Sequence, residues 1–456
     1  MTKPENFRQK ENTMSETTVI DIDRIDTALG AAPRIAYTAP HVYPHAAPMF
    51  EPAPGMERDR VKHPYMRLYA HIPFCNYACT FCCYAKRVNA KREEMERYVA
   101  ALIKELEWMP EGMPLSQLFV GGGTPTALPP DLLDRVLSAI FTRMPLYGEP
   151  IHTVEASPDS ISDEHISVLK DNGIGRVSMG IQSLSDGVLE AVSRRHGEQI
   201  GLDACERVIA AGLILNIDLM YGLPGQSEES LRRDIENAAD MGVPTFTAYS
   251  LRLNEYTPVS RSIAPDETLN IERLMRWRAV LRDAAAEFGY TQTRWHTFKR
   301  LDSAAARHER LACTDEEMSG FQLGIGLSSR SHLGYKVYRN DSRIRPYMEA
   351  IEQGKSPVTE VFPLAEEDRI IQFVARSIGD GTPLDRDVYS RTFGRSIDTD
   401  YREVLARLSD ADLIEDDGKR IQLSETGKLV YDLVTLAFYP PRAQKWLNEE
   451  LAAFGF

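Results

Sequence analysis

MRLYAHIPFCNYACTFCC, residues 66–83, is an apolar run that stops at a proline and passes at once into four cysteines. MRLYAHI reads as a strand, and its period of two puts Tyr69 and His71 on one face. Cys75, Cys79 and Cys82 follow as Cys-x3-Cys-x2-Cys on the loop after that strand. Iron–sulfur clusters are held by cysteine thiolates, and a 4Fe–4S cube has four irons to satisfy. Three sulfurs leave one iron open, as the missing fourth ligand does in catalytic zinc sites. The alternative is a structural zinc knot that takes Cys83 as its fourth ligand. Zinc sites usually draw cysteine pairs from separate segments, so Cys83 reads as a bystander thiol. Tyr69 and His71 then flank the metal or fill the interior beneath it.

Outward from this loop, the chain alternates short β-rich runs with amphipathic stretches. QLFVG, HTVEAS, RVSMGIQ, LILNIDLMY and TFTAYSL are the further candidate strands, and residues 91–108, 130–143, 162–172, 200–212 and 227–241 the helices between them. Six β-then-α units predict an α/β fold with a parallel sheet, a (β/α)6-type partial barrel over residues 61–290. Residues 1–60 hold six prolines between Pro33 and Pro54 and lack sustained apolar periodicity, which predicts a Pro-rich arm, extended or partly disordered, that can still fold over a site. Residues 291–363 read as a barrel extension and connection. Residues 364–456 read as a helical, winged-helix-like domain with a hairpin turn at Asp417-Gly418.

Hydrophobic content of 43% and charged content of 26% describe a globular chain. The balance of 53 basic and 67 acidic residues, formally −14, argues against nucleic acid as the main partner. Neither an N-terminal apolar segment nor a run of about 18 apolar residues is visible, so the expectation is a cytoplasmic protein without a membrane partner. Six cysteines at this length do not make a disulfide scaffold.

Barrel enzymes carry their chemistry on loops after the carboxyl ends of strands. Gly121-Gly122-Gly123-Thr124-Pro125 follows one such strand and lets a ligand approach the backbone closely. Glu155 and Gln182 end the next two strands, and Asp218 lies in NIDLMYGLPGQ. Polar groups aimed into a barrel are costly unless they bind something, although each by itself is also consistent with a helix cap or a satisfied core polar group. Arg194 offers a bidentate fork to a carboxylate, or stands as a solvated charge.

YAHIPFCNYACTFC, GGGTPT, VEASPD, RVSMGIQS, NIDLMYGLPGQ and GIGLSSRSH, in this order, resemble the blocks of the oxygen-independent coproporphyrinogen III oxidase-like (HemN-like) family of radical S-adenosylmethionine (SAM) enzymes. The resemblance covers residues 66–335 well and the C-terminal unit loosely. It implies that Cys75, Cys79 and Cys82 ligate a 4Fe–4S cluster. It further implies that Tyr69 packs beside that cluster, and that Gly122, Gly123, Thr124, Glu155, Gln182, Arg194 and Asp218 contact the SAM that is cleaved. Phe81 matches an aromatic near a second SAM, and a flavodoxin or ferredoxin is the implied electron donor. Two departures bear on the substrate: APRIAYTAPHVYPH only faintly resembles the decarboxylases' tyrosine-rich segment, and the HNxxYW-like motif of the heme chaperones is not found. Trp295, His296, Cys313 and Phe321 are candidate substrate contacts, with core packing as the alternative for the two aromatics. The expected activity is class C-like: methyl transfer or cyclopropanation of an unsaturated or aromatic small molecule, with the second SAM as carbon donor. Porphyrinogen decarboxylation and non-catalytic heme chaperoning are the alternatives.

Overall fold

The computed structural model describes residues 21–30, 50–60, 64–109, 111–253, 257–263, 271–307 and 321–445. Its strands, in chain order, begin with β1 (Glu51–Pro52), β2 (Met66–Ile72), β3 (Phe74–Cys75), β4 (Arg87–Val88), β5 (Leu115–Gly122) and β6 (Thr153–Ala156). There follow β7 (Arg176–Gln182), β8 (Ile214–Tyr221), β9 (Thr245–Ser250), β10 (Thr291–Arg294), β11 (Thr297–Lys299) and β12 (Phe321–Ile325). Next come β13 (Arg330–Leu333), β14 (Lys336–Asn340), β15 (Val358–Pro363), β16 (Leu384–Asp385), β17 (Ile414–Asp416) and β18 (Arg420–Leu423).

All six strands read from the sequence form, as β2 and β5 to β9, with helices Arg92–Glu107, Pro130–Arg143, Asp163–Asp171, Glu198–Ala210 and Glu228–Asp240 between them. Each helix turns an apolar stripe to the sheet, such as Leu132, Leu133, Val136, Leu137 and Ile140 of the second. The result is an α/β fold with its site at the carboxyl ends of parallel strands.

The sheet is wider than six strands. It holds thirteen, in the order β1-β15-β14-β13-β12-β2-β5-β6-β7-β8-β9-β11-β10. A seventh parallel strand, β12, joins beside β2, and antiparallel strands extend both edges. The reading of residues 291–363 as an extension and connection missed these because the added strands are only two to six residues long, too short for a period to show.

Two long-range anchors correct the expectation of an extended N-terminal arm. Ile22–Leu29 is a helix whose Ile25, Ala28 and Leu29 are buried in the C-terminal domain's core, with Asp21 capping its amino end. Arg58 reaches the barrel: its guanidinium bonds Glu105 at 2.5 Å and Asn340 at 2.6 Å. Glu105 is fully buried and also accepts from the Gly326 amide at 2.8 Å and the Tyr347 hydroxyl at 2.7 Å. Tyr98, two turns earlier on the same helix, donates to the His71 carbonyl at 2.7 Å and accepts from the Leu327 amide at 2.9 Å. This network places the GIGLSSRSH block against β2, directly under the cysteine loop.

In the C-terminal unit, β16, β18 and β17 form a three-stranded sheet, and the β17–β18 hairpin turns at Asp417-Gly418 as read from the sequence. The unit docks on the barrel through Arg278, which bonds the Asp432 carboxylate at 2.7 and 2.8 Å, the Leu429 carbonyl at 2.9 Å and the Tyr221 hydroxyl at 3.0 Å. Among the described residues no helix is long and apolar enough to cross a membrane.

Candidate active site

β3 and β4 pair in parallel, Phe74 with Arg87 and Cys75 with Val88, and so close the base of a loop over residues 76–86. Cys75, Cys79 and Cys82 are half-buried on it, and Cys83 is exposed. Burial pushes the Cys75 thiol up to about 11, opposed by a Thr124 hydroxyl 3.8 Å away and reinforced by the neighbouring Cys82 and Cys79 thiols. The three sulfurs therefore sit within electrostatic reach of one another. Among the described residues no three His, Cys, Asp or Glu side chains gather tightly enough to hold a single metal ion. Cysteine thiolates are the donors of iron–sulfur clusters, and the cations of a bound cluster would favour the thiolate form that burial alone disfavours. The donor set therefore fits a cluster.

The loop is held from several sides. The Asp159 carboxylate accepts from Asn76 at 3.0 Å and from the Tyr77 hydroxyl at 3.3 Å, while the Ser157 hydroxyl, 2.9 Å away, holds Asp159 itself. Lys86 caps the Cys82 carbonyl at 2.6 Å. Arg194 donates to the Cys79 sulfur at 3.5 Å and to the Gly180 carbonyl, and its guanidinium stands over the Tyr77 ring at 5.8 Å. Arg194 is thus fastened at the loop, not solvated on the surface. Asp159 belongs to the VEASPD block, but its pairing with a loop some 80 residues earlier has no local sequence signal. Replacing Asp159 with alanine should free Asn76 and Tyr77 and speed cluster loss to a chelator several-fold, as the visible absorbance would show. Asparagine, which keeps an acceptor, should recover part of that loss, and equal decay rates in all three proteins would contradict the clamp.

Inside the barrel the glycine run is sterically required. A Cβ on Gly121 would lie 2.7 Å from the Glu155 carboxylate, and one on Gly122, whose φ is +118°, 2.6 Å from the His71 ring. The Gly122 amide donates to Glu155 at 3.0 Å. His71 is pushed down to about 4 by burial, so it is neutral, and one ring nitrogen lies 3.1 Å from the Tyr69 hydroxyl. Burial, with Glu155 adding, raises Tyr69 well above a phenol's usual range. Glu155 is itself pushed up to about 7 by burial and then by Asp218, and Asp218 to about 6 by burial. Asp218 keeps acceptor capacity while bonded by Ser178 at 3.2 Å and Asn216 at 2.9 Å. Two partly buried carboxylates, each pushed toward its neutral form, suit a ligand rich in N–H and O–H donors.

Gln182 sits at a bulge in β7 with φ +71°, a backbone state that ordinary side chains rarely adopt. Such outliers collect at functional sites. The structure therefore gathers Cys75, Cys79, Cys82, Tyr69, Gly122, Gly123, Thr124, Glu155, Gln182, Arg194 and Asp218 at the carboxyl ends of β2, β5, β6, β7 and β8. Phe81 packs against a satellite apolar cluster with Val188, Val192, Met220 and Leu251. Trp295 is buried between barrel and C-terminal domain, its indole N–H on the Ile378 carbonyl, and its role is packing. His296 stacks on Tyr249 with ring centres 5.7 Å apart. Phe321 opens β12, and Cys313 lies outside the described residues.

Residues 69–238 match the sequence model of the Radical SAM superfamily. The heme chaperone HemW of Lactococcus lactis is 29% identical over 366 residues, 79% of this chain and 93% of that protein. An oxygen-independent coproporphyrinogen III oxidase of Cereibacter sphaeroides is 28% identical over 347 residues, 73% of this chain and 76% of that one. The solved structure of coproporphyrinogen III oxidase (HemN) from Escherichia coli, described as a radical SAM enzyme, superposes with a TM-score of 0.70 at 26% identity, covering 82% of this chain and 91% of that one. The strand ends that carry these residues lie within the part of the chain that matches the Radical SAM superfamily, and the chain has a HemN-like α/β fold.

Proposed function

We propose that this chain is a radical SAM enzyme acting on a tetrapyrrole, and that the second of two SAM molecules supplies a methyl-derived carbon to the unsaturated ring system. The observation that carries the chemistry is the convergence of a three-thiol loop, the Arg194 fork and two interior carboxylates within one barrel mouth. Cys75, Cys79 and Cys82 would hold the cluster, which would supply the electron for reductive cleavage of SAM. Glu155 and Asp218 receive donor groups of the nucleoside and amino-acid portions, and Gln182 presents its amide from the β7 bulge. Arg194 neutralises thiolate charge and keeps the loop against the Gly180 carbonyl.

The tetrapyrrole is supported by the names of the relatives. The two sequence departures argue against the decarboxylase and chaperone readings, and methyl transfer is the reading put to the test. Anaerobic, reconstituted protein given dithionite and methyl-deuterated SAM is expected to release deuterium-bearing 5'-deoxyadenosine. Unlabelled 5'-deoxyadenosine with carbon dioxide from coproporphyrinogen would replace this reading with oxidative decarboxylation. Heme retention without SAM cleavage would replace it with chaperoning.

A further inference from the structure

β7 does not end as an ordinary strand. Its register against β8 slips between Gly180 and Gln182, which leaves Ile181 out of the ladder, and Gln182 takes φ +71°. A side chain other than glycine persists in that backbone state only where its surroundings over-determine it.

The surroundings do so on both flanks of Gln182. Before it, the Arg194 guanidinium donates to the Gly180 carbonyl, and His196 turns Nε2 to the Ile181 carbonyl at 3.3 Å. His196 is buried, and burial, then Arg194, pushes it down to about 4, so the ring is neutral. After Gln182, Asp234 on helix Glu228–Asp240 accepts from the Ser183 hydroxyl at 2.8 Å and from the Leu184 amide at 2.8 Å. Ser183 is fully buried, and its hydroxyl oxygen also accepts from the Ser185 amide at 3.2 Å. Asp234 is buried as well, and burial pushes it up to about 7, a cost that packing alone does not require. The two flanks hold the Gln182 side chain between them. A Cβ on Gly180 would lie 2.9 Å from the Gln182 amide nitrogen and 3.5 Å from an Arg194 guanidinium nitrogen, so both groups reach the space over Gly180. Gly180 pairs with Asp218 in the parallel register, which sets the Gln182 amide on the interior face that carries Asp218.

We propose that Asp234 is a positioning residue of the barrel mouth: through the Ser183 hydroxyl and the Leu184 amide, with His196 on the other flank, it fixes the β7 bulge that holds the Gln182 amide over Gly180 for bound SAM. The proposal rests on the reading of the mouth as a SAM site and extends that site to a residue that touches no ligand.

The test is a double-mutant cycle on full-length, cluster-loaded protein reduced with dithionite, in which 5'-deoxyadenosine formation is followed against SAM concentration. Asp234→Ala should raise KM for SAM about three- to tenfold, the scale of one or two neutral hydrogen bonds, with a smaller change in kcat. Gln182→Ala should do the same, and the double variant should be no worse than Gln182→Ala alone, because nothing is then left to position. Asp234→Asn keeps an oxygen for the Leu184 amide and offers its own amide to the Ser183 hydroxyl, so it should bring KM back to within about twofold of wild type. Iron content and thermal unfolding report folding; should Asp234→Ala lose its cluster, Ser183→Ala, which removes a single oxygen, takes its place in the cycle. An unchanged KM in either single variant, or effects that multiply in the double variant, would overturn the positioning role, since a residue that only stabilises the helix layer acts independently of Gln182. With wild-type protein cleaving SAM, those outcomes leave the SAM reading standing. Wild-type protein that neither binds nor cleaves SAM would overturn that reading and the proposal with it.

Discussion

Cys79→Ala is expected to remove the broad visible absorption of the reconstituted cluster and to reduce 5'-deoxyadenosine formation more than about 100-fold, since losing even an outer-shell partner of a metal ligand costs roughly 10- to 100-fold. Two thiolates are then left for a centre that needs three, and the Arg194 guanidinium, 3.5 Å from that sulfur, loses its anionic partner. Cys83→Ala is expected to keep both absorption and activity, because Cys83 is exposed while the other three are drawn toward the barrel. Iron content, visible spectra and product yield on the two variants side by side make the measurement. A Cys83→Ala protein that cannot hold iron would show that four sulfurs, not three, define the centre, and the open coordination position would be lost with it.

Glu105→Ala carries the second large effect, on stability. Its carboxylate is fully buried and gathers Arg58, Asn340, Tyr347 and the Gly326 amide. Removing it strands a guanidinium whose side chain is 8% exposed, and breaking one partner out of a buried ion pair costs about 3–5 kcal/mol. Chemical denaturation should report a loss of that order, accompanied by looser packing of the segment around Gly326 on the His71 carbonyl. Glu105→Gln should cost less, since it retains shape and an acceptor. The double variant Arg58→Met with Glu105→Leu should recover much of the loss, because apolar replacement of a buried pair is often near neutral. A cost below about 1 kcal/mol for Glu105→Ala would mean that Arg58 finds another partner, contrary to the network seen here.

Local chemistry wrote much of the site into the chain. Cys-x3-Cys-x2-Cys reads as a ligand set because its members are neighbours on one loop, and the strands from MRLYAHI to TFTAYSL are visible because helix and strand periods differ. Glu155, Gln182 and Asp218 could be picked out by position alone, since each ends or interrupts a strand whose carboxyl end must face the site.

Contacts between distant segments left no such trace. Nothing near Arg58, in a proline-bearing stretch, announces Glu105 as its partner, and nothing around Ile25 predicts that an eight-residue helix will be covered by the C-terminal domain. Short meandering strands such as β13 and β14 carry too few residues for a period to show, so the width of the sheet emerged only from pairing. By itself the sequence placed three thiols on one loop and laid out the strands and helices that surround it, because those are properties of residues close along the chain. Tertiary structure alone decided what stabilises that fold and which charges face each other across its interior, because Coulomb and hydrogen-bond energies depend on separation in space.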